Sequence, residues 1–421
     1  MSFDLVVVGL GYVGLPVAEA AVSVGLKVAG YDLSAEIVGQ LNSGHSHIGD
    51  LADEQVAEMV ARGFMASTDA AVLAGAATVV VCVPTPLTSD GGPDLGPVRG
   101  AIDEVAKHLS AGTLVILEST TYPGTTDEVV RPILEATGLL VGTDIHLAFS
   151  PERIDPGNPT WGLRNTPKII GGCTPSCTDA AEAFYAQFVD TVVRASGSRE
   201  AEMSKLLENT YRHVNIALVN ELSRYCHSMD IDLWDVIRLA STKPFGFQAF
   251  WPGPGVGGHC IPVDPSYLAY KIRADLGEQF GFIALAQDVN DAMPAYVVRR
   301  CQDLLNDQGQ AVRSARVLLL GVSYKPNVAD TRESPAYAVA SGFARLGAEV
   351  GYHDPFNPTW DAPGVGLLTS APDLDDAVRS ADLVVLLQQH HAYDAEQLAA
   401  TARLLFDTRG VVAERKGVER L

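Results

Sequence analysis

LVVVGLGYVGLPVAEAAVSVGLKVAGYD, residues 5–32, decides the fold. It opens with four apolar residues, turns at Gly9, Gly11 and Gly14, continues through an alanine- and valine-rich stretch, and closes with a second apolar run ending at Asp32. Strand, glycine turn, helix and strand in that order make a βαβ unit. The three glycines serve, in turn, the tight turn, the close approach of the backbone to a pyrophosphate, and the close packing of helix on strand. A lone GxGxxG is often no more than a glycine-rich turn, but here the strand, helix and acid are all in place. An acid at the end of the second strand accepts hydrogen bonds from ribose hydroxyls and repels a 2′-phosphate, so the stretch predicts NAD rather than NADP.

Outward from this unit, β-branched runs recur at 78–83, 113–117 and 146–149, separated by helical stretches. This predicts a mostly parallel, doubly wound sheet. Polar residues follow the runs: Asp32, Thr85, then Glu118, Ser119 and Thr120, then 150–153. Strand carboxyl ends line one crevice in such a sheet, so these residues are expected to converge. Over 200–229 apolar residues return at steps of three and four, which predicts a long helix with Lys205, Asn209, Arg212 and His213 as a polar stripe. A loop rich in glycine, proline and aromatics is expected over 243–265. Beyond it the opening theme returns: VLLLGVSY at 317–324 echoes LVVVGLGY, and LGAEVGYHDP at 346–355 echoes VGLKVAGYDL at 24–33. The second copy has Ser323 and Pro326 where the first has glycines, so it is not expected to hold a dinucleotide in the same way. The expected fold class is α/β: two Rossmann-like doubly wound domains, 1–195 and 306–421, joined by a long central helix and small helical region at 196–305.

Asp and Glu number 51 against 30 Lys and Arg, a formal charge of −21, which argues against nucleic acid or an anionic membrane as partner. With 47% hydrophobic and 19% charged residues, disorder is excluded. The most apolar stretch, 5–31, is broken by Pro16, Glu19, Lys27 and five glycines, so no membrane span is expected. The start, MSFD, lacks the basic region of a secretory signal, and six scattered cysteines form no disulfide framework. Cytoplasmic localisation follows. Cys173 and Cys177 are wrongly spaced for a zinc knuckle, and no metal is expected.

The glycine run before Cys260 lets backbone amides approach a ligand, and a cysteine placed there can attack a bound carbonyl once its pKa falls. The alternative is a buried structural thiol. Lys205 and Asn209, four residues apart, can face one oxyanion together or form an ordinary solvated helix face. Glu152 and Asp264 are candidate bases for water, or simply loop acids. His259 is read as structural.

GLGYVGLP at 9–16, SPER at 150–153, EMSKLLENTYRHVNIALVNEL at 202–222, GPGVGGHCIPVDP at 253–265 and GVSYKPNVADTRESP at 321–335, in this order, resemble the UDP-glucose/GDP-mannose dehydrogenase family over nearly the whole chain. The long cysteine loop is similar to that of the branch acting on UDP-N-acetylhexosamines. The resemblance implies NAD as cofactor, a UDP-sugar as substrate, and a four-electron oxidation of the C6 alcohol through a thiohemiacetal and thioester on Cys260. It implies Lys205 and Asn209 as oxyanion and proton-transfer residues, and Thr120, Glu152 and Asp264 as the residues that position or activate water. Around NAD it implies Gly9, Gly11, Tyr12, Val13, Gly14, Asp32, Thr85, Thr120 and Arg332. Around the nucleotide sugar it implies Arg153, Ile154, Lys205, Asn209, Arg212, Gly257, Tyr324, Lys325 and Arg409, the last three in the UDP-binding domain. It also implies a homodimer built on the long helix. Two departures stand out: Ile37 replaces an arginine near the adenosine, and Pro244 replaces a basic residue for which the adjacent Lys243 is a candidate.

The nearest rivals are the same chemistry on UDP-glucose or GDP-mannose, and a two-electron dehydrogenase of the hydroxyacid type, which leaves Cys260 and the second α/β domain unexplained. A non-catalytic nucleotide-sugar or NAD sensor is disfavoured by intact Cys260, Lys205 and Asp264.

Overall fold

Strand β1 (Leu5–Val8) is buried on both faces: Leu5 and Val7 belong to one apolar cluster, Val6 and Val8 to another. A strand covered by helices on both sides must be apolar at every position, and this is why unalternated valine runs mark the sheet in the sequence. The computed structural model describes residues 2–49, 51–88, 91–154, 158, 160–258, 260–413 and 415–421, Cys260 by its backbone. The chain divides into two compact units, Met1–Glu208 with Ser266–Glu278, and Asn209–Pro265 with Gln279–Leu421.

In the first unit β1 is joined by β2 (Val28–Tyr31), β3 (Met65–Ser67), β4 (Thr78–Val81), β5 (Leu114–Leu117), β6 (His146–Phe149), β7 (Lys168–Gly172) and β8 (Val192–Arg194) in the order β3-β2-β1-β4-β5-β6-β7-β8. The order reverses between β1 and β4, the position where doubly wound sheets open a ligand crevice at their strand carboxyl ends. The strands run parallel up to β6; β7 then pairs antiparallel, Ala148 facing Gly172 and Phe149 facing Gly171. Helices α1 (Gly14–Ser23), α2 (Ala35–Asn42), α3 (Asp53–Ala61), α4 (Gly96–His108), α5 (Arg131–Glu135) and α6 (Pro175–Tyr185) connect and cover the strands.

The long helix expected over 200–229 is α7 (Ser198–Ser228); its first turns belong to the first unit and the rest to the second. The second unit continues with α8 (Leu233–Ala240), the start of α9 (Cys260–Leu276) and α10 (Gly281–Asp307). The loop expected over 243–265 ends sooner than its prolines suggest, because α9 already begins at Cys260. Pro262 falls in the first turn, where no helical hydrogen bond needs its N–H, and Pro265 removes only the bond to the Ile261 carbonyl.

The second α/β sheet holds β9 (Arg316–Leu320), β10 (Glu349–His353), β13 (Leu383–Leu386), β14 (Leu405–Asp407) and β15 (Val418–Arg420) in the order β10-β9-β13-β14-β15, with β11 (Thr359–Ala362) and β12 (Gly366–Thr369) as a separate antiparallel pair. Helices α11 (Pro335–Leu346), α12 (Leu374–Ser380) and α13 (Ala395–Thr401) complete it.

The internal echo is a backbone identity. Gly9 N donates to Tyr31 O at 2.8 Å and Gly321 N to His353 O at 3.0 Å. Leu10 N donates to Asp32 Oδ2 at 2.9 Å, and Val322 N to Asp354 Oδ2 at 2.8 Å. A Cβ on Gly9 would lie 2.6 Å from the Cys82 carbonyl oxygen, and one on Gly321 2.5 Å from that of Gln388. In the second copy Ser323, through both N and Oγ, and His390 Nε2 also bond Asp354 Oδ2, so this acid fastens its own turn.

Among the described residues no helix is long and apolar enough to cross a membrane, and no group of three His, Cys, Asp or Glu is placed to hold a metal ion.

Candidate active site

The turn after β1 separates three glycines by what a side chain would meet. Gly9, at φ +88°, would strike the Cys82 carbonyl, and a Cβ on Gly14 would lie 1.9 Å from the Gly9 carbonyl oxygen. A Cβ on Gly11 would meet nothing within 4 Å. Gly9 and Gly14 are thus required by the protein itself, while Gly11 leaves bare backbone facing open space at the start of α1. This is the cradle a pyrophosphate needs. Asp32 Oδ1 accepts from Ser34 N and Oδ2 from Leu10 N, both at 2.9 Å, which fixes the carboxylate at the end of β2. The donor set fits NAD. Tyr12 is exposed and Val13 partly so at the head of α1; buried Thr85 receives the Tyr267 hydroxyl on its carbonyl oxygen. Arg332 lies in the second unit, where its guanidinium grips Asp330 with Nη2 to Oδ2 at 2.6 Å.

At the carboxyl ends of β5 and β6 the first unit gathers Thr120, Glu152, Arg153, Ile154 and Lys205. Buried Lys205 donates from Nζ to Thr120 Oγ1. Glu152 Oε1 accepts from the backbone N of Arg153 at 2.7 Å and of Ile154 at 2.6 Å, so one carboxylate shapes the SPER turn. The Arg153 side chain is engaged by Glu208, Nη2 to Oε1 at 2.7 Å, and by the Pro167 carbonyl at 2.8 Å. Sequence reasoning missed what stands behind this group. Lys168 Nζ lies 3.1 Å from both Glu152 Oε2 and Glu118 Oε1, and the Tyr185 hydroxyl also donates to Glu118 Oε1. A lysine opening the apolar strand KIIGG was the available signal. Glu202 was missed too: it takes Gly124 N, Thr126 N and Thr126 Oγ1 at 2.6–2.8 Å, and burial pushes its carboxyl up to about 7 against those bonds.

In the second unit, two motifs far apart in sequence pack against each other. A Cβ on Gly257 would lie 2.8 Å from Glu333 O and 2.9 Å from Tyr324 Cβ; on Gly258, at φ +84°, it would enter the Tyr324 ring at 2.7 Å. Gly258 N donates to Arg332 O at 3.1 Å. The glycine run therefore lets the cysteine loop lie flat on the 321–335 segment. Cys260 is the first residue of α9; its side chain and His259 lie outside the described residues. One turn on, buried Asp264 accepts from Asn209 Nδ2 at 2.6 Å. Arg409 donates through Nε to the Leu387 carbonyl at 2.6 Å, and burial lowers its guanidinium to about 10. A Cβ on Gly253 would lie 3.2 Å from Arg409 Nη1. Tyr324 and Lys325 are partly buried, Arg212 is exposed on α7, and Lys243 stacks over the Phe245 ring at 5.0 Å.

Comparison with known proteins agrees with both units. Models of the UDP-glucose/GDP-mannose dehydrogenase family match the NAD binding domain over residues 3–189, the central domain over 199–292 and the UDP binding domain over 318–414. The chain is 35% identical to the UDP-N-acetyl-D-mannosamine dehydrogenase of Pyrococcus horikoshii over 97% of its own length and 96% of the relative's, and 37% identical to that of Salmonella typhi over 98% and 100%. The solved structure of the Pyrococcus horikoshii UDP-D-ManNAc dehydrogenase superposes with a TM-score of 0.89 at 33% identity, covering 100% of this chain and 98% of that one. Turn geometry, acid and sequence likeness agree on NAD as the cofactor. Carrying NAD-binding, central and UDP-binding parts in one chain, the protein belongs to the UDP-glucose/GDP-mannose dehydrogenase family, as an NAD-dependent UDP-sugar dehydrogenase.

Proposed function

We propose that this enzyme oxidises the C6 alcohol of a UDP-N-acetylhexosamine, UDP-N-acetyl-D-mannosamine foremost, to the uronate. Full-length likeness to UDP-N-acetyl-D-mannosamine dehydrogenases supports the choice of sugar. The observation that carries the chemistry is the position of Cys260 at the first residue of α9, one turn before an Asp264 already bonded to Asn209.

The Gly9–Gly14 turn and Asp32 would hold NAD, which would supply the hydride acceptor for the sugar C6, first at the alcohol and then, as a second molecule, at the thiohemiacetal. Cys260 adds its sulfur to the intermediate aldehyde, which makes that second transfer possible and leaves a thioester. Lys205 and Asn209 donate to the C6 oxygen as negative charge gathers there. Thr120, Glu152 and Asp264 place the water that attacks the thioester; the C–S bond breaks and its electron pair stays on the Cys260 sulfur. One alcohol, one water and two NAD yield one carboxylate, two NADH and three protons. Arg153, Arg212, Lys325 and Arg409 neutralise the diphosphate, with Ile154, Gly257 and Tyr324 against the sugar and base. For Arg153 this means exchanging Glu208 for phosphate. Arg332 is assigned to NAD. Residues 1–195 serve NAD, 196–305 catalysis and dimerisation, and 306–421 UDP.

The working form is a homodimer in the cytoplasm. Tyr211, Leu218, Leu222 and Tyr225 share one face of α7 and remain 40–56% exposed, a stripe that a second copy would cover. Cys82, Cys173, Cys177, Cys226 and Cys301 are free thiols, which suits a reducing compartment.

The test is NADH counted per sugar consumed with UDP-N-acetyl-D-mannosamine, UDP-N-acetyl-D-glucosamine, UDP-glucose and GDP-mannose. Two NADH per N-acetylmannosamine sugar, with the others slow, is expected. One NADH per sugar refutes the four-electron route, and a preference for UDP-glucose or GDP-mannose refutes the branch. Cys260→Ser is expected to bind NAD and UDP-sugar yet make no carboxylate.

A further inference from the structure

The eight-stranded sheet reverses direction at β7, and this puts its first residue, Lys168, at the carboxyl ends of β5 and β6. The pairs Ala148–Gly172 and Phe149–Gly171 set the register, which carried three residues further brings Glu152 opposite Lys168. Lys168 Nζ indeed lies 3.1 Å from Glu152 Oε2, and 3.1 Å from Glu118 Oε1 on its other side. All three side chains are shielded, Glu118 at 0%, Lys168 at 4% and Glu152 at 9% exposure. A buried carboxylate–ammonium–carboxylate row stabilises a fold poorly compared with apolar packing of the same volume, so stability does not account for it.

We infer that Lys168 is a positioning residue for Glu152: it anchors Oε2 and holds this carboxylate as an anion, while Glu118, fastened by the Tyr185 hydroxyl, keeps the ammonium in place. The inference rests on Glu152 handling water in thioester cleavage, as proposed above. In that step the water oxygen bonds to the thioester carbon, a water proton passes to Glu152, and the C–S bond breaks with the electron pair leaving on the Cys260 sulfur.

Glu152 Oε1 is already spanned by two backbone amides. With Oε2 fixed by Lys168, the carboxylate is locked in one rotamer. The groups around it are Lys168 from β7, Glu118 after β5, Cys82 after β4, Tyr185 from α6 and Lys205 from α7. Burial pushes the Glu152 carboxyl up, but Lys168, the Ile154 amide and Lys205 outweigh it and leave it below the ordinary range. Glu118, more fully buried and sharing the same cation, lies above that range. A proton entering the row therefore settles on Glu118 before Glu152. The row keeps the water-handling carboxylate charged while a second one absorbs protonation.

Hydrolysis can be isolated by acid-quenching the full-length enzyme with UDP-N-acetyl-D-mannosamine and NAD and following the uronyl thioester on the chain by intact mass from about pH 5 to about pH 9. Lys168→Met is expected to move the acid limb of the hydrolysis rate upward by about one pH unit, about tenfold slower at any pH on that limb, while the first NADH forms at the wild-type rate. Lys168→Arg is expected to restore the limb. Because Lys168→Met leaves two carboxylates without their cation, it is also made with Glu118→Gln, where only Glu152 remains; the same upward shift is expected. An unshifted limb in either folded variant overturns the role of Lys168. Glu152→Gln separates the two ideas. If it hydrolyses the thioester at the wild-type rate, the reading of Glu152 falls and the inference with it; if it accumulates thioester while Lys168→Met keeps a normal pH profile, only the inference falls.

Discussion

Asn209 donates from Nδ2 to Asp264 Oδ2 at 2.6 Å, tying the middle of α7 to the first turn of α9, where Cys260 stands. Nothing in the sequence links the two residues. Their contact makes Asn209 a fixed donor rather than a mobile amide, since its carboxylate partner sets which way the amide faces. A donor fixed before the reaction needs no reorganisation as charge builds on the substrate oxygen. Asn209→Ala is therefore expected to lower kcat about a hundredfold, with little change in the KM for NAD. Steady-state kinetics on both substrates would check this, and a fall confined to KM would place Asn209 in ground-state binding instead.

The glycine turn separates folding from binding. A Cβ on Gly14 collides with the Gly9 carbonyl oxygen, whereas one on Gly11 stands in open space. Gly14→Ala is expected to cost about 3 kcal/mol of stability through forced backbone movement. Gly11→Ala is expected to melt like the wild type but to bind NAD about tenfold or more weakly. Thermal melts with and without NAD would register both.

Acid stability of the second α/β sheet should depend on Asp354. Burial pushes its carboxyl up, but His390 and the amides of Phe356 and Val322 outweigh it and hold the group well below the ordinary range. Because its pKa is depressed in the folded state, the stability it contributes is complete above its unfolded value of about 4 and is lost as pH falls toward its folded value. Asp354→Asn is expected to lose about 2 kcal/mol at neutral pH and to show a flatter dependence on acid than the wild type. Urea unfolding across that range measures the difference; parallel curves would show that Asp354 is not the responsible group.

The apolar stripe on α7 gives a fourth expectation. Leu218→Asp combined with Tyr225→Asp places charge in the middle of the face. Sedimentation is expected to report dimers for the wild type and monomers for this variant. A wild-type monomer that turns over normally would remove the dimer from the mechanism.

Much of this molecule is legible in the sequence because doubly wound sheets are monotonous. Buried parallel strands read as valine runs, and the glycine turn with Asp32 reads as a cradle before any coordinates are known. The boundaries of α7 come within two residues from periodicity alone. What escapes reading is whatever depends on strand direction or on a helix starting against its prolines. Nothing local to KIIGG says that β7 runs backwards, and without that reversal Lys168 is one more surface cation. Likewise CIPVDP carries two helix-disfavouring residues, and only packing makes it the start of α9. Glu202 escaped because its three donors come from 76 to 78 residues away.

The two α/β sheets act as each other's control experiment. Both copies kept the glycine that crosses the neighbouring strand's carbonyl and the acid that catches the turn's amide. Only the first kept the glycine whose absent side chain leaves room for something else. Subtracting one half of the chain from the other thus distinguishes residues retained for architecture from those retained for cargo, without any second protein to compare. In the second sheet, serine and histidine also bond the acid. The acid position that steadies an open cradle in one sheet works as a clasp in the other.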